Sequence, residues 1–388
     1  MKKLLIDINS IVPFFISGKV TGIGRTTLQL VNSLNKNKEV LNFQVGLISQ
    51  NTKGVGTRQI ETSFRKFHIY APHRRCFKKI NEFIPLKELL TGYDILHVPH
   101  NHEYVFNPEK TVVTLHDALF MKIHEVGFDH LRMRREVPKL MKKCKGIITC
   151  SNSSKQDIVE TMLINPNKID VIHWGIDHDT FYVIDDKDKT RVTLERQLNI
   201  KKPYFLSVSC NSERKNTHKL VEAYIRLSER GPVNDLILLW NNPPKFVLKM
   251  INEADLESRI RFLSDVTDIE LRLLYNGATA LIFPSSYEGF GLPILEAMAC
   301  GTPVVTCRNS SLTEVGGEAA IYIDDPITED ILKSLESFEN NEYDRITFSR
   351  KGREQASKFT WSKTANNYIS VYKKYLGIDN LTVSLLKP

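Results

Sequence analysis

The stretch that decides the fold runs from Phe283 to Gly301 and reads FPSSYEGFGLPILEAMACG. It follows an apolar, β-branched run and therefore predicts a buried strand that ends at Pro284. Gly289 and Gly291 predict a loop whose backbone a ligand can approach closely. Pro293 suits the first turn of a helix, and Gly301 stands where a helix C-cap belongs. The stretch thus predicts a strand, a loop and a helix in succession.

The same alternation of short β-branched runs with helix-period segments fills the chain. Alternating strands and helices predict an α/β fold with parallel sheets covered by helices on both faces. The predicted strands are Lys3–Ile8, Phe43–Ile48, Ile95–Val98, Thr111–Leu115, Gly146–Cys150, Ile169–His173, Tyr204–Ser209, Leu236–Trp240, Arg261–Leu263, Ala280–Pro284, Pro303–Cys307 and Ala320–Ile323.

Two domains are expected for 388 residues. The charge-rich segment 185–203 is the predicted linker between a first domain at 1–184 and a second at 204–360. The closing segment 361–388 carries a predicted helix long enough to pack back on the first domain. Ligands of doubly wound sheets bind at the carboxyl ends of the strands, so a cleft between two facing units is the expected site.

Composition narrows the class of protein. The chain has 53 basic and 45 acidic residues, a net charge of +8 and 41% hydrophobic residues. It is an ordinary globular chain whose basic balance favours an anionic partner, such as nucleic acid, an acidic membrane surface or a phosphorylated small molecule. Six cysteines without a C-x-x-C pair indicate free thiols in a reducing compartment. With neither a signal peptide nor a membrane-length apolar run, the expected location is the cytoplasm.

The loop and helix after Pro284 predict a binding site for an anion. Loop amides and a helix N-terminus hold negative charge without a basic side chain. Glu288 and Glu296 flank this site eight positions apart, where carboxylates suit sugar or ribose hydroxyls better than phosphate. Spacing alone leaves two solvated glutamates as an equal alternative.

The motif YEGFGLPILEAMACGTPVV, with Glu288 and Glu296 as its two acids, resembles the signature of the retaining glycosyltransferase family 4. The resemblance implies the GT-B architecture, two doubly wound Rossmann-like domains that face a central cleft. It implies that Glu288 contacts the donor sugar and that Glu296 holds the ribose. The loop residues implied to meet the sugar hydroxyls and the diphosphate are Gly289, Phe290, Gly291 and Leu292.

Arg214-Lys215-Asn216 follows the first predicted strand of the second domain. Adjacent cations there can neutralise a leaving diphosphate, although a solvated helix start also tolerates them. The segment resembles the family's R-K-N pattern, which assigns Arg214 and Lys215 to the phosphates. Ser209 departs from the glycine that is frequent in the family at this loop.

Thr21-Gly22-Ile23-Gly24-Arg25 lies between the first predicted strand and helix. A phosphate-binding P-loop is excluded because glycine and lysine are absent where that motif needs them. The segment resembles the family's T-G-I-G-R loop, which implies that Gly22 and Gly24 face the donor diphosphate and the acceptor. A plain glycine turn is the alternative.

Histidines close two strands of the first domain. His116-Asp117 follows Thr111–Leu115 and aligns with the family's H-D pair, which places His116 at the donor sugar or acceptor. A hydrogen-bonded loop histidine is the alternative. His97, His100 and His102 have ligand-like spacing, but they lack carboxylate or cysteine partners other than Glu103. Residues of an acceptor-side loop are therefore expected there rather than a metal site.

Other segments extend the resemblance. Asp177-His178-Asp179 is formally D-x-D, yet it follows Gly175-Ile176 as the family's linker does, so neither a divalent metal nor a cofactor is expected. Ser264–Leu271 resembles the loop against the base, with Val266 and Thr267 as contacts and Asp268 as the residue that starts a helix. Ser310–Val315 fits a segment close to the nucleotide.

Basic residues cluster in the first domain, and they suggest either a solvated face or attachment to anionic lipid. The cluster comprises Arg132, Arg134, Arg135, Lys139, Lys142, Lys143 and Lys145, with Arg74, Arg75, Lys78 and Lys79.

The expected activity is retaining transfer of a hexose from a nucleotide diphosphate sugar to a glycan or lipid-linked acceptor. Mannose from GDP-mannose is the first expectation, because the motifs resemble those of bacterial polysaccharide mannosyltransferases. A sugar-nucleotide epimerase or a phosphorylase of the same fold is the alternative enzyme. A nucleic-acid binder is the alternative without catalysis, suggested only by charge and lacking the aromatic and recognition motifs of such proteins.

Overall fold

The computed structural model describes residues 1–13, 22–51, 60–70, 86–101, 105–122 and 128–378. The chain divides into two compact units. The first unit holds residues 1–175 together with the segment from 361 onward, and the second unit holds residues 176–360.

The first unit is a parallel sheet with helices between its strands. Its strands are β1 (Lys3–Asp7), β2 (Gln44–Asn51), β3 (Arg65–Tyr70), β4 (Ile95–Val98), β5 (Thr111–Thr114), β6 (Gly146–Thr149) and β7 (Ile169–Val171), in the order β3-β2-β1-β4-β5-β6-β7. Its helices before the second unit are α1 (Gly22–Lys36), α2 (Leu86–Thr91), α3 (Leu119–Lys122), α4 (Phe128–Lys143) and α5 (Asn152–Met162).

The central strands are buried on both faces, since every residue of β4, β5 and β6 is inaccessible to solvent. Alternate residues of a strand point to opposite faces, so both faces of this sheet need a helical cover. Two apolar cores provide it. One contains Leu5, Val113 and Met141, and the other contains Ile6 and Leu30.

The second unit repeats the plan. Its strands are β8 (Tyr204–Val208), β9 (Asp235–Leu239), β10 (Ile260–Leu263), β11 (Ala280–Phe283), β12 (Val304–Cys307) and β13 (Ile321–Ile323), all parallel, in the order β10-β9-β8-β11-β12-β13. Its helices are α6 (Lys187–Leu198), α7 (Thr217–Ser228), α8 (Lys245–Glu253), α9 (Asp268–Gly277), α10 (Leu292–Ala299), α11 (Leu312–Gly316), α12 (Thr328–Glu339) and α13 (Arg345–Ala356).

Both strand orders are those of doubly wound Rossmann-like sheets, so the predicted α/β fold class is confirmed. In the second unit the order reverses between β8 and β11, which pair directly through Ala280 with Phe205 and Leu281 with Leu206. The loops that leave the carboxyl ends of these two strands diverge there, and a ligand can enter between them.

The last helix, α14 (Trp361–Leu376), belongs to the first unit. Its Tyr372 hydroxyl lies 2.8 Å from Nδ1 of His97, whose Nε2 lies 2.8 Å from Thr114 Oγ1. Lys374 and Tyr375 bind the carboxylate of Asp170 at the far edge of the sheet. A buried polar chain and a surface ion pair therefore hold α14 on this sheet.

The segment 185–203 differs from a plain linker. It contains α6, which begins at the Asp186 N-cap and buries Thr190 and Leu194. Leu194 packs so tightly on α9 that a Cβ added to Gly277 would lie 2.3 Å from its Cδ1. The unit boundary accordingly falls at residues 175 and 176, ahead of this segment.

Within the described parts of the chain, every helix is too short or too polar to cross a lipid bilayer.

Candidate functional site in the second unit

Two loops meet where the strand order of the second unit reverses. The loop after β8 carries Arg214 and Lys215 on a single 3₁₀ turn, and the loop after β11 carries Glu288. The backbone N–H of Ser286 donates to the carbonyl of Arg214 at 2.8 Å, and Asn216 Nδ2 donates to the carbonyl of Pro284 at 2.9 Å. These bonds join the two loops into one rigid surface.

One carboxylate oxygen binds both cations. Arg214 Nη1 lies 2.7 Å and Lys215 Nζ 2.6 Å from Oε1 of Glu288. Ser285 Oγ donates to the same oxygen at 2.7 Å. The three charged side chains are mostly buried, with 20% of Arg214, 12% of Lys215 and 12% of Glu288 exposed. The cluster carries two positive charges and one negative charge.

The pKa of Glu288 lies below its ordinary value. Burial by itself would raise this pKa, but the charges of Lys215 and Arg214 and the hydrogen bonds from Lys215 and Ser285 outweigh that effect. Glu288 is therefore ionised at neutral pH. Its two cationic partners keep one net positive charge that is available to an anion.

Further contacts fix each cation. Arg214 Nη1 also donates to the carbonyl of Tyr287 at 2.7 Å. Lys215 Nζ lies 4.3 Å from the centre of the Phe283 ring at the end of β11, a cation–π contact. Held in this way, the side chains lose little freedom on binding a ligand.

The loop from Glu288 to Gly291 is anchored by two serines of the segment after β12. The N–H of Glu288 donates to Ser310 Oγ at 3.0 Å. Ser311 Oγ contacts the carbonyls of Glu288 at 2.9 Å and of Phe290 at 2.8 Å. Ser310 and Ser311, which begin the segment predicted to lie close to the nucleotide, thus support this loop.

Gly291 is the residue in this loop that only glycine can fill. Its φ is 108°, and an added Cβ would lie 3.2 Å from Leu312 Cδ2. Gly291 caps α10, which begins at Leu292 with Pro293 in its first turn, as predicted. Gly289 does not have a positive φ, so the predicted backbone freedom is used only at Gly291.

Glu296 lies in the second turn of α10 and is 7% exposed. Tyr275 of α9 donates its hydroxyl to Oε2 of Glu296 at 3.1 Å. Neither Glu288 nor Glu296 is a solvated surface acid, so that alternative is wrong. No sequence signal indicated Tyr275, because its segment carries no motif.

Asp268 is the first residue of α9, as predicted, and Thr267 is the N-cap that precedes it. Its Oγ1 accepts from the N–H of Glu270 at 3.2 Å, and its own N–H donates to Glu270 Oε2 at 2.8 Å. The T-x-x-E spacing of this capping box was the available signal. Val266 precedes it and is half-buried.

In the first unit, Gly22 and Gly24 lie in the first turn of α1 rather than in a loop. Neither has a positive φ, so the glycine-turn alternative is wrong as well. Gly22 is exposed, and nothing lies within 4 Å of a Cβ added there. Thr21, which opens the motif, is outside the described residues.

His116 follows the carboxyl end of β5 and is 6% exposed. Its ring packs edge-on against Trp174, with 5.1 Å between ring centres, beside a small cavity that Thr26 also lines. Burial, with a smaller effect of His100, lowers the pKa of His116 to about 4. His116 is thus a neutral imidazole at pH 7.

His97 is structural, contrary to the prediction of an acceptor-side loop. It is fully buried, and both ring nitrogens lie at hydrogen-bond distance from hydroxyls of Thr114 and Tyr372. His102 and Glu103 lie outside the described residues. Among the residues that are described, no group of three or more histidines, cysteines or acids is arranged to hold a metal.

Asp177 of the D-x-D stretch closes a turn. Its Oδ1 accepts from the N–H of Asp179 at 3.1 Å, and its Oδ2 accepts from Thr180 Oγ1 at 2.9 Å. His178 Nε2 lies 3.2 Å from the carbonyl of Phe359. These local bonds agree with a connecting segment.

Exposed basic side chains lie on α4, at Arg135, Lys139, Lys142 and Lys143, and directly after it, at Lys145. Glu136 pairs with Arg135 and Lys139, and Arg134 donates to the carbonyl of Phe120 at 2.6 Å. Arg74, Arg75, Lys78 and Lys79 lie outside the described residues.

The two Rossmann-like units, with a cationic pair and a glycine loop at the reversal point of the second, define a glycosyltransferase of the GT-B fold. Solved structures share this fold over nearly the whole chain. Sucrose-phosphate synthase from Thermosynechococcus elongatus has a TM-score of 0.76 at 18% identity and covers 98% of this chain and 100% of its own. The Anabaena protein HepE in complex with UDP and glucose has a TM-score of 0.72 at 18% identity, with 96% and 100% covered.

Family models match both units, Glycosyltransferase Family 4 at residues 20–180 and Glycosyl transferases group 1 at residues 190–355. O-antigen chain mannosyltransferase B of Escherichia coli is 30% identical over 276 residues, which span 68% of this chain and 70% of that protein. O-antigen chain mannosyltransferase RfbU of Salmonella typhimurium is 28% identical over 58% of this chain and 60% of its own. The chain therefore belongs to the family 4 glycosyltransferases, as the motif around Glu288 and Glu296 indicated.

Proposed function

We propose that this glycosyltransferase moves mannose from GDP-mannose to a hydroxyl of a glycan or lipid-linked glycan in surface polysaccharide synthesis, with retention at the anomeric carbon. The similarity of the chain to the two bacterial O-antigen mannosyltransferases supports the sugar and the class of pathway. The observation that carries the proposal is the cluster of Arg214, Lys215 and Glu288 at the reversal point of the second sheet.

The chemistry follows from the charges of that cluster. A diphosphate brings more negative charge than the single carboxylate that Arg214 and Lys215 share in the free protein. We assign both cations to the diphosphate, which leaves Glu288 to accept hydrogen bonds from donor-sugar hydroxyls. As the bond from the anomeric carbon to the phosphate oxygen breaks, the cations stabilise the charge on that oxygen. The acceptor oxygen bonds to the same face of that carbon, and its proton passes to the departing phosphate.

The remaining predicted residues have positioning roles. Glu296, buried on α10, binds the ribose, and Val266 with Thr267 contacts the base. The amides of the Gly289–Leu292 loop meet the sugar and diphosphate, an arrangement that the N-terminus of α10 favours electrostatically. The second unit thus binds the donor.

The first unit binds the acceptor in this proposal, and we assign Gly22, Gly24 and His116 to contacts with the donor or the acceptor. Neutral His116 can donate or accept one hydrogen bond with a hydroxyl without introducing a charge. The transfer requires neither a metal nor another cofactor.

A panel of UDP-, GDP-, ADP- and TDP-sugars tests the donor by thermal shift, with and without EDTA. We expect GDP-mannose to raise the unfolding temperature most, and EDTA to leave this shift unchanged. The anomeric proton coupling in the NMR spectrum of the product tests retention. A larger shift with another nucleotide sugar would overturn GDP-mannose as the donor, and an inverted product would overturn the same-face mechanism.

We also propose that the enzyme works at the cytoplasmic face of a membrane, attached through the exposed cations of α4. Each basic residue near an anionic surface contributes about 1 kcal/mol. Co-sedimentation with anionic and neutral vesicles checks this, and the variant Lys139→Ser/Lys142→Ser/Lys143→Ser should lose most of the binding. Equal retention by both vesicle types would overturn the attachment.

A further inference from the structure

A second cavity of about 790 Å³ lies wholly within the second unit, away from the loops described above. Its lining includes Pro203, Thr279 and Pro303, which directly precede β8, β11 and β12. All strands of this sheet are parallel, so the cavity lies at their amino ends. The candidate donor site lies at their carboxyl ends, and a strand of four or five residues separates the two by about 15 Å.

All of the charged side chains that line this cavity are cationic. Seven of its side chains are Lys or Arg, and none is Asp or Glu. Five of them make no ion pair or side-chain hydrogen bond with any residue that the structure describes, namely Lys187, Lys201, Lys202, Arg345 and Arg353. They come from α6, from the segment before β8 and from α13, and so converge from three directions.

The other two cations of the lining, Arg191 and Arg350, have only exposed acidic partners. Arg191 lies 3.6 Å from the carboxylate of Asp188, which is 93% exposed, and Arg350 lies 2.9 Å from that of Glu354, which is 61% exposed. Such exposed pairs are weak and screened by salt. Both cations can therefore turn toward a ligand.

The overall charge of the second unit makes this concentration of cations unusual. Residues 176–360 contain 29 acidic and 23 basic side chains, so the unit as a whole is negative. A solvated face of such a unit would mix both signs. Here like charges gather around one concave site, where they raise the local positive potential and attract anions.

The floor of the cavity is apolar. Leu194, Ile200 and Tyr204 line it and are at most 5% exposed. A volume of this size, an apolar floor and a charged rim are typical of sites for small organic ligands. Because the rim supplies several cations in different directions, it suits a ligand with more than one phosphate group.

We propose that this cavity is a binding site for a polyphosphorylated ligand, separate from the donor site. The phosphates contact the lysines and arginines of the rim, and the remainder of the ligand covers the apolar floor. Phosphate esters of this kind occur both as soluble metabolites and as lipid headgroups, and the experiment distinguishes the two sources.

The test is calorimetric titration with inorganic tripolyphosphate. The variant Lys187→Ser/Lys202→Ser/Arg353→Ser removes three rim cations. The matched control Lys189→Ser/Arg196→Ser/Lys351→Ser removes two lysines and one arginine from α6 and α13 outside the cavity, with the same change in net charge. We expect the rim variant to bind tripolyphosphate at least tenfold more weakly than the control. Circular dichroism of both variants verifies folding.

The donor site also attracts phosphate, so Lys215→Ala is titrated in parallel. Binding that survives Lys215→Ala, and that disappears when the three rim substitutions are added to Lys215→Ala, supports the proposal. Equal affinity of the rim and control variants, or loss of all binding in Lys215→Ala, would overturn it. This readout does not depend on sugar transfer, so it stands apart from the proposed activity.

Vesicles of phosphatidylcholine with and without phosphatidic acid identify the source of the phosphate. With Lys139→Ser/Lys142→Ser/Lys143→Ser present in every variant to remove attachment through α4, retention that requires phosphatidic acid and is lost in the rim variant but not in the control assigns the site to lipid headgroups. Rim-dependent binding of tripolyphosphate without rim-dependent retention assigns it to a soluble ligand. If neither measurement depends on the rim, the cavity is not such a site.

Discussion

The hydroxyl of Tyr275 on α9 donates a hydrogen bond to Oε2 of Glu296 on α10 at 3.1 Å. Glu296 has a buried side chain, so this bond sets the direction of its carboxylate. The carbonyl of Tyr275 in turn accepts from the buried Thr302 Oγ1 after α10. Tyr275 thereby joins α9 to the middle of α10, the short helix that carries the proposed ribose ligand, and to the segment that follows it.

Removing the hydroxyl in Tyr275→Phe should weaken donor binding with little effect on turnover. A hydrogen bond of this type contributes ~1 kcal/mol, which corresponds to about fivefold in the donor KM. Tyr224→Phe is the matched control, because Tyr224 is also buried in this unit and donates to the carbonyl of Asn234 at 2.7 Å. An unchanged donor KM in Tyr275→Phe, measured beside this control, would remove the role of Tyr275.

Lys215→Ala should lower turnover by about tenfold or more, the scale of removing one donor from an oxyanion site. The lysine supplies half of the positive charge that Glu288 balances in the free protein. Lys219→Ala is the control, because Lys219 lies four positions further along the chain, in the first turn of α7, and makes no ion pair with the described residues. Initial rates at saturating donor separate the two, and wild-type turnover in Lys215→Ala would contradict the proposed mechanism.

Gly291→Ala should abolish most donor binding and also destabilise the protein. The alanine would need a φ of 108° and would crowd Leu312. Gly231→Ala is a useful comparison, since its φ of 65° is also positive but nothing lies within 4 Å of its added Cβ. Strain of this kind costs about 1 kcal/mol or more in each variant. Thermal shift with the donor should show binding in Gly231→Ala only.

Much of the architecture could be predicted because the buried strands are short β-branched runs between turn residues. The strand β3 escaped prediction, since RKFHIY mixes charged and apolar residues at the edge of its sheet. The helix α6 escaped because its only buried side chains are Thr190 and Leu194. So short an apolar stripe gives no clear helical period.

At the site, the motif predicted Glu288, Arg214 and Lys215, which the structure brings together. It could not predict that a single oxygen of Glu288 binds both cations, because pairing depends on how two distant loops meet. The supporting residue Tyr275 comes from a segment without a motif, and the family segment that contains Ser311 did not indicate that its hydroxyl holds the loop. Residues that act through another side chain leave little trace in one sequence.

The depressed pKa of Glu288 predicts a specific dependence of stability on pH. The folded pKa lies below the ordinary value of 4.5, so the ionised cluster stabilises the protein above pH 4.5. This contribution falls as the pH drops below 4.5 through the folded pKa. The difference in unfolding temperature between wild type and Glu288→Gln should therefore shrink on acidification. Exposed Glu318 provides the control Glu318→Gln, and a constant difference for Glu288→Gln would contradict the ion-pair assignment.

His97 predicts a second pH dependence, in the first unit and at higher pH. Burial, with smaller effects of His100 and His116, lowers its pKa from 6.5 to about 3. Below pH 6.5, His97 therefore binds a proton in the unfolded chain but not in the folded chain. The free energy of unfolding falls as the pH drops from 6.5 toward 3. At pH 5 the loss from this one group reaches about 2 kcal/mol.

The variant His97→Gln keeps polar contacts to Tyr372 and Thr114 but cannot be protonated in this range. We expect it to be less stable than wild type at pH 7.5 and to lose less further stability by pH 5. His178→Gln, in the second unit, is measured beside it as a matched replacement of a histidine. Unfolding temperatures by calorimetry across this range check the prediction, and parallel curves for wild type and His97→Gln would show that α14 is not held to the first sheet by a neutral imidazole.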